Sequence, residues 1–152
     1  MAHTYSAIYI HIVFGTKKRR ALLKGDTIER CRTYISALLD GEDARAIRVG
    51  GTADHLHILV CMHQEQSVAT IVRKIKASSS AFLRREIPGL GSFAWQGGYG
   101  AFSVNYKNID PLISYIDHQE EHHRNKTFEK EMSDILIAGG IEIDERLQFF
   151  FN

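Results

Sequence analysis

The chain is poor in cysteine, and neither charge sign dominates it. Its two cysteines, Cys31 and Cys61, are too few for a disulfide framework and fit reduced core thiols. Nineteen Lys and Arg stand against eighteen Asp and Glu, a net charge of +1, so composition alone does not announce a nucleic-acid binder. No apolar run is long enough to span a bilayer. The opening residues, Met-Ala-His-Thr-Tyr, have neither a basic n-region nor an apolar h-region, so a cytoplasmic location without a membrane partner is expected. Repeats and low-complexity stretches are also absent. With 152 residues, 44% of them hydrophobic, the chain suits one domain with a real core, taken as residues 1–152.

Against that plain background stands Asp54-His55-Leu56-His57-Ile58-Leu59-Val60. Side chains alternate faces along a strand, so His55 and His57 point the same way, about 7 Å apart. Leu56, Ile58, Val60 and Met62 fall on the opposite, buried face. Two imidazoles so placed can grip one metal ion. The other reading is a pair of hydrogen-bonded structural histidines.

The surrounding pattern places this strand third in a series. Residues 5–14, rich in aromatic and β-branched side chains, form the first strand. Ile8, Ile10, Ile12 and Phe14 share one face; Tyr9, His11 and Val13 share the other. The basic run Lys17-Lys18-Arg19-Arg20 leaves its end as a loop. A helix starts at Asp26, where Glu29 completes a capping-box-like pair, and stops at Gly41. Residues 44–49 read as a strand joined through Gly50-Gly51 to the histidine strand, 55–62, as a hairpin. Ser67 caps a long helix to about Glu86, with Arg73, Lys76 and Arg84 off its apolar stripe. The Gly- and aromatic-rich segment 92–106 holds a fourth strand on which Phe102, Val104 and Tyr106 alternate. The order β-α-β-β-α-β is the ferredoxin-like pattern: an α+β antiparallel sheet with helices on one face. C-terminal helices follow.

The first of these runs from an N-cap at Asp110 to about His123. Tyr115 and Gln119 are four apart and share a face, with His118 and His122 beside them. That side lies away from the stripe of Leu112, Ile113 and Ile116, which is mild evidence that Tyr115 does more than pack. Thr127 caps the next helix, with Phe128, Met132, Ile135 and Leu136 as its stripe and Gly139-Gly140 at its end. The tail 141–152 is expected to pack on the body or on a partner chain.

Taken together, these residues resemble a single-tyrosine HUH-endonuclease transposase, the type found with single-strand insertion sequences and REP-associated tyrosine transposases. The resemblance rests on Tyr9–Phe14, on Asp54-His55-Leu56-His57, on Trp95–Val104, and on Tyr115-Ile116-x-x-Gln119 with His122-His123, Phe128 and Glu131. It covers most of the chain and is least distinctive in the last dozen residues. It implies that His55 and His57 bind a divalent metal, Mg²⁺ or Mn²⁺, with Gln119 as third ligand. It implies Tyr115 as the nucleophile on a DNA phosphate, giving a 5′-phosphotyrosine and a free 3′-OH without a nucleotide cofactor. It also implies single-stranded or hairpin DNA as substrate, and a homodimer in which the partner's tyrosine helix commonly completes the site. Lys17, Lys18, Arg19, Arg20, Arg73, Lys76 and Arg84 would then track phosphates.

Other readings stay open. Tyr106 is a rival nucleophile, although its alternation with Phe102 and Val104 favours packing. His11 reads as a satisfied core histidine, or as a neighbour of the metal pair. His118, His122 and His123 read as solvated helix-end residues, one of which can replace a ligand. Trp95 and Tyr99 suit base stacking or core packing, and Cys61 a small buried hydrophobe. At the level of function, the alternatives are a replication-initiator or relaxase-like nicking enzyme, and a domesticated hairpin-DNA-binding protein that no longer cuts. A water-using hydrolase would need a general base, and the His-Glu-x-x-His helix motif that supplies one is absent.

Overall fold

The computed structural model describes residues 2–151, apart from the side chain of Phe149, so the end of the predicted tail, Asn152, lies outside the described residues. Four strands, β1 (Ile8–Gly15), β2 (Arg45–Gly51), β3 (His55–Met62) and β4 (Gly100–Val104), form one antiparallel sheet in the order β2-β3-β1-β4. Between them run α1 (Asp26–Gly41) and α2 (Val68–Glu86). The expected β-α-β-β-α-β order is therefore present.

The period-two pattern decides which face each strand residue takes. Ile12 and Phe14 of β1 and Leu56, Ile58, Val60 and Met62 of β3 pack against Cys31, Ile35 and Leu39 of α1 and Ile71, Ile75 and Leu83 of α2. This is the main core. Burial there pushes the Cys31 thiol up to about 12, in keeping with an inert core cysteine. Ser67 caps α2 by accepting from the Thr70 amide. At α1 the capping box does not form: the N-cap is Gly25, and Glu29 instead accepts from Arg32 at 2.9 Å.

The C-terminal part covers the other face of the sheet. It comprises α3 (Ile109–Asp117), a single turn α4 (Gln119–His122), α5 (Phe128–Ala138) and a short α6 (Leu147–Phe150). Val13 of β1 packs with Phe128 and Met132 of α5 and with Phe151 of the tail. The tail thus packs on the body through Phe151, after residues 141–146 without regular structure.

Three local expectations are corrected. The tyrosine helix is not continuous from Asp110 to His123: it ends at Asp117, and His118 breaks it with non-helical backbone (φ −108°, ψ 26°). Its N-cap is Asn108 rather than Asp110. Tyr106 is not a packed strand residue. It lies past β4 in a 3₁₀ turn (Tyr106–Asn108), 74% exposed, with its ring 6.2 Å from that of Tyr9.

Two glycines set how closely the site elements approach. A methyl group on Gly51 would collide with the carbonyl oxygen of His55, so the β2–β3 turn requires glycine there. A methyl group on Gly50 would meet Cγ2 of Ile116 at 2.7 Å. Gly50 is the seat on which the tyrosine helix rests.

Candidate active site

The histidine face of β3 is where the pieces meet. His55 and His57 are fully buried, as expected from their shared face, and α5 closes over them. His55 Nδ1 lies 2.7 Å from Asp54 Oδ1 and 2.9 Å from Thr52 Oγ1, so its other nitrogen faces the site. That Nε2 lies 3.1 Å from Gln119 Oε1 and 3.2 Å from Glu131 Oε1. His57 Nε2 is also 3.2 Å from Glu131 Oε1, and its Nδ1 is 2.8 Å from His11 Nε2. His11 is therefore both of the things considered for it: a satisfied core histidine and a direct neighbour of the pair.

Glu131 is the residue that sequence reasoning did not give a role. Its second oxygen accepts a hydrogen bond from the Tyr115 hydroxyl. His123 Nε2 approaches its first oxygen at 3.1 Å. One carboxylate thus touches three imidazoles and the tyrosine. The signal was present: Glu131 is three residues after Phe128 and four before Ile135, so it sits inside the apolar stripe of α5, where an unpaired carboxylate is costly.

The charges follow from this packing. Burial works to raise the Glu131 carboxyl, but hydrogen bonds from His123, His55 and His57 outweigh it and hold it well below the usual range. Burial likewise opposes charge on His55, yet its bonds to Asp54 and Glu131 lift it to about 9. Burial lowers His57. Burial and the Glu131 contact together raise Tyr115, so its hydroxyl is held protonated and donating.

Among the described residues, His55, His57 and Glu131 are grouped as a metal would need, with one ligand atom from each all within 4.8 Å of one another. Donor spacings of 3.1–3.2 Å agree with the roughly 3 Å between neighbouring ligands of a six-coordinate ion with bonds of about 2.1 Å. The Gln119 oxygen fits the same shell. The donor set of imidazole nitrogens, amide oxygen and carboxylate suits Mn²⁺ and other first-row ions as well as Mg²⁺.

The remaining candidates are more scattered. Tyr115 stands with its ring 5.7 Å from His57 and 4.8 Å from His122. His118 is exposed and bonds the Ser114 carbonyl. Phe128 stacks on His55 at 4.1 Å. His123 reaches a surface cavity of about 550 Å³ that also touches Arg19, Arg124 and Lys126. Lys17, Lys18 and Arg20 are exposed, whereas Arg19 pairs with Glu129 and lies over the Phe151 ring. Arg73 and Arg84 are exposed along α2. Lys76 is spent internally: its ammonium donates to the carbonyls of Gln96 (2.8 Å) and Gly98 (2.7 Å), and burial lowers it to about 8. Trp95 is core, its indole donating to Ser79 Oγ.

Comparison with known proteins adds an independent line. The family model described as "Transposase IS200 like" matches residues 4–119. The insertion sequence IS200 transposases of Salmonella typhimurium (strain LT2) and Salmonella typhi are each 29% identical over 126 residues, covering 80% of this chain and 82% of theirs. Two solved structures share the fold. One is a Deinococcus radiodurans R1 chain assigned as a transposase, with TM-score 0.60 and 17% identity, covering 78% of this chain and 95% of the other. The other is a REP-associated tyrosine transposase bound to a REP hairpin, with TM-score 0.60 and 16% identity, covering 81% and 73%. Among the described residues no helix is long and apolar enough to cross a membrane.

Proposed function

Because the chain belongs to the IS200-like transposase family, we propose that its DNA chemistry is single-tyrosine strand transfer on single-stranded, hairpin-bearing DNA. The observation that carries this reading is the convergence of Tyr115, His55 and His57 on one carboxylate, Glu131. A nucleophile and a ligand set are thereby held within a single hydrogen-bonded cluster. The hairpin substrate follows the REP-associated relative, which was solved on a hairpin.

In this mechanism Tyr115 Oη attacks the scissile phosphorus, and the phosphorus–O3′ bond breaks. The products are a 5′-phosphotyrosine and a free 3′-OH. The phosphodiester energy is conserved, so a second 3′-OH can reverse the step and join strands. An unassisted tyrosine is protonated and sluggish at neutral pH. Glu131 Oε2 is already placed to receive its proton. His55, His57, Gln119 and Glu131 Oε1 would hold a divalent ion, Mg²⁺ or Mn²⁺. Such an ion supplies charge stabilisation at the phosphate and the leaving oxygen. Asp54 and His11 orient the two imidazoles from behind. The tyrosine lies beside the histidines of its own chain, which favours a site completed within one protomer. A homodimer would then pair two whole sites rather than exchange halves.

A labelled hairpin oligonucleotide with Mg²⁺ or Mn²⁺ tests this. The expected result is a covalent protein–DNA adduct that is lost in Tyr115→Phe and His57→Ala and kept in Tyr106→Phe. An adduct that survives Tyr115→Phe and disappears in Tyr106→Phe overturns the nucleophile. Binding without any adduct, across metals, favours a non-cutting hairpin-binding protein. The initiator or relaxase type would use the same chemistry for a different task, so the neighbourhood of the gene decides there: element ends with subterminal hairpins beside it favour transposition.

A further inference from the structure

A groove of about 470 Å³ runs between α2 and residues 94–99 and has no part in the chemistry above. Its lining includes Arg73, Lys76 and Arg84 and no carboxylate. A cavity of similar size beside Gln119, about 490 Å³, is lined by Glu29, Asp117, Glu120 and Glu121 as well as by arginines. A polyanion is favoured in the first and opposed in the second.

The groove is more than a basic patch. Val72 and Trp95 contribute apolar surface to it, and Tyr99 stands in its wall with 37% of its surface exposed. Lys76 is not available to a phosphate, since it is tied to the Gln96 and Gly98 carbonyls. Its ammonium lies 5.7 Å from the centre of the Tyr99 ring and so helps to fix that ring. Arg73 and Arg84 are exposed and have no carboxylate partner among the described residues, although Arg84 gives one N–H to the Phe93 carbonyl at 3.0 Å. An apolar slot whose lining holds a half-open aromatic ring and two exposed arginines matches one unpaired base and its flanking phosphates. Duplex DNA hides its base faces and cannot use the ring.

The groove also adjoins the candidate active site. The backbone N–H of Gln96 donates to the Gly15 carbonyl at 2.9 Å, and Gly15 pairs with His55 across β1 and β3. A strand leaving the groove therefore arrives at the end of the sheet where the metal ligands sit.

We propose that this groove holds one unpaired nucleobase of the single strand flanking the hairpin, stacked on Tyr99, with Arg73 and Arg84 on its phosphates. The proposal rests on the strand-transfer reading for its substrate class. Anisotropy of a labelled hairpin with a short single-stranded flank tests it, without metal, as each flank nucleotide is replaced in turn by an abasic one. In the wild type, one replacement should weaken binding about 5- to 150-fold, the range of one base–aromatic stack. That replacement should cost nothing further in Tyr99→Ala and in Tyr99→Leu, which keeps apolar bulk, and should keep its cost in Tyr99→Phe. Additive losses, or wild-type binding indifferent to every abasic position, overturn the groove assignment. Adduct formation by the same preparations separates the two levels. Adducts without Tyr99 coupling sink only the groove, whereas no hairpin binding and no adduct sink the strand-transfer reading with it.

Discussion

His11 Nε2 lies 2.8 Å from His57 Nδ1, and the two rings stack with centroids 5.0 Å apart. This contact decides which nitrogen of His57 is left for the site, because a ring bonded at Nδ1 presents Nε2. His11→Phe removes the partner while keeping a flat ring. It should weaken Mn²⁺ binding by about 10- to 100-fold. His11→Gln, which retains a hydrogen-bonding group, should recover part of that loss. Calorimetric titration with Mn²⁺ measures both variants.

The same residue predicts acid sensitivity. Burial, joined by charge on His57 and opposed by Glu131, pushes the His11 ring from its ordinary 6.5 to about 3. A lowered folded-state pKa means that the unfolded chain binds the proton first. The stability from a neutral, buried His11 is thus whole above pH 6.5 and drains away as pH falls toward 3. In urea unfolding of metal-free protein, His11→Gln should flatten the pH dependence across that window by up to one proton. An unchanged slope would show that His11 does not titrate on unfolding.

Gly50→Ala tests the seat of the tyrosine helix. The new methyl group would press on Ile116, the residue after Tyr115. The expected stability loss is about 1–3 kcal/mol from overpacking. Adduct formation should fall by more than roughly tenfold while hairpin binding persists, because the displacement moves Tyr115, the proposed nucleophile, and not the basic surface. Stopped single-turnover assays at saturating DNA separate the two.

Exposed and internal lysines should behave differently. Alanine at Lys17, Lys18 or Arg20 should each lower the salt slope of hairpin binding by about 0.7–0.9, the share of one phosphate contact. Lys76→Met should leave that slope unchanged and instead lower the melting temperature, because its ammonium holds the Gln96 and Gly98 carbonyls. Affinities measured from low to moderate salt distinguish the two classes.

Much of this arrangement is legible in the sequence, for physical reasons. Strand alternation put His55 and His57 on one face and Leu56, Ile58 and Val60 on the other, and β3 spans the expected residues 55–62. The Ser67 and Thr127 caps are short-range chemistry and form as expected. The break at His118 is different: no glycine or proline announces it, and it separates Gln119 from the helix of Tyr115. Glu131 carried only half a signal: its place on the stripe of Phe128 and Ile135 marks it for burial, but nothing local names the imidazoles that make burial tolerable. It becomes 1% exposed only when α5 folds onto the second face of the sheet, a contact no local pattern encodes. Tyr106 misled because alternation with Phe102 and Val104 continues in the sequence after β4 has ended.

Trp95 is the chain's one tryptophan. It stands edge-on to Phe14 at 4.9 Å and to Phe93 at 4.8 Å, its back in the core and its front in the wall of the groove. The molecule therefore carries its own optical gauge. A single buried indole should emit at short wavelength, and an aromatic guest beside it should quench that emission. Oligonucleotides that touch only the 17–20 loop should leave the spectrum still, so unlabelled titrations can distinguish the two modes of contact by colour and intensity alone.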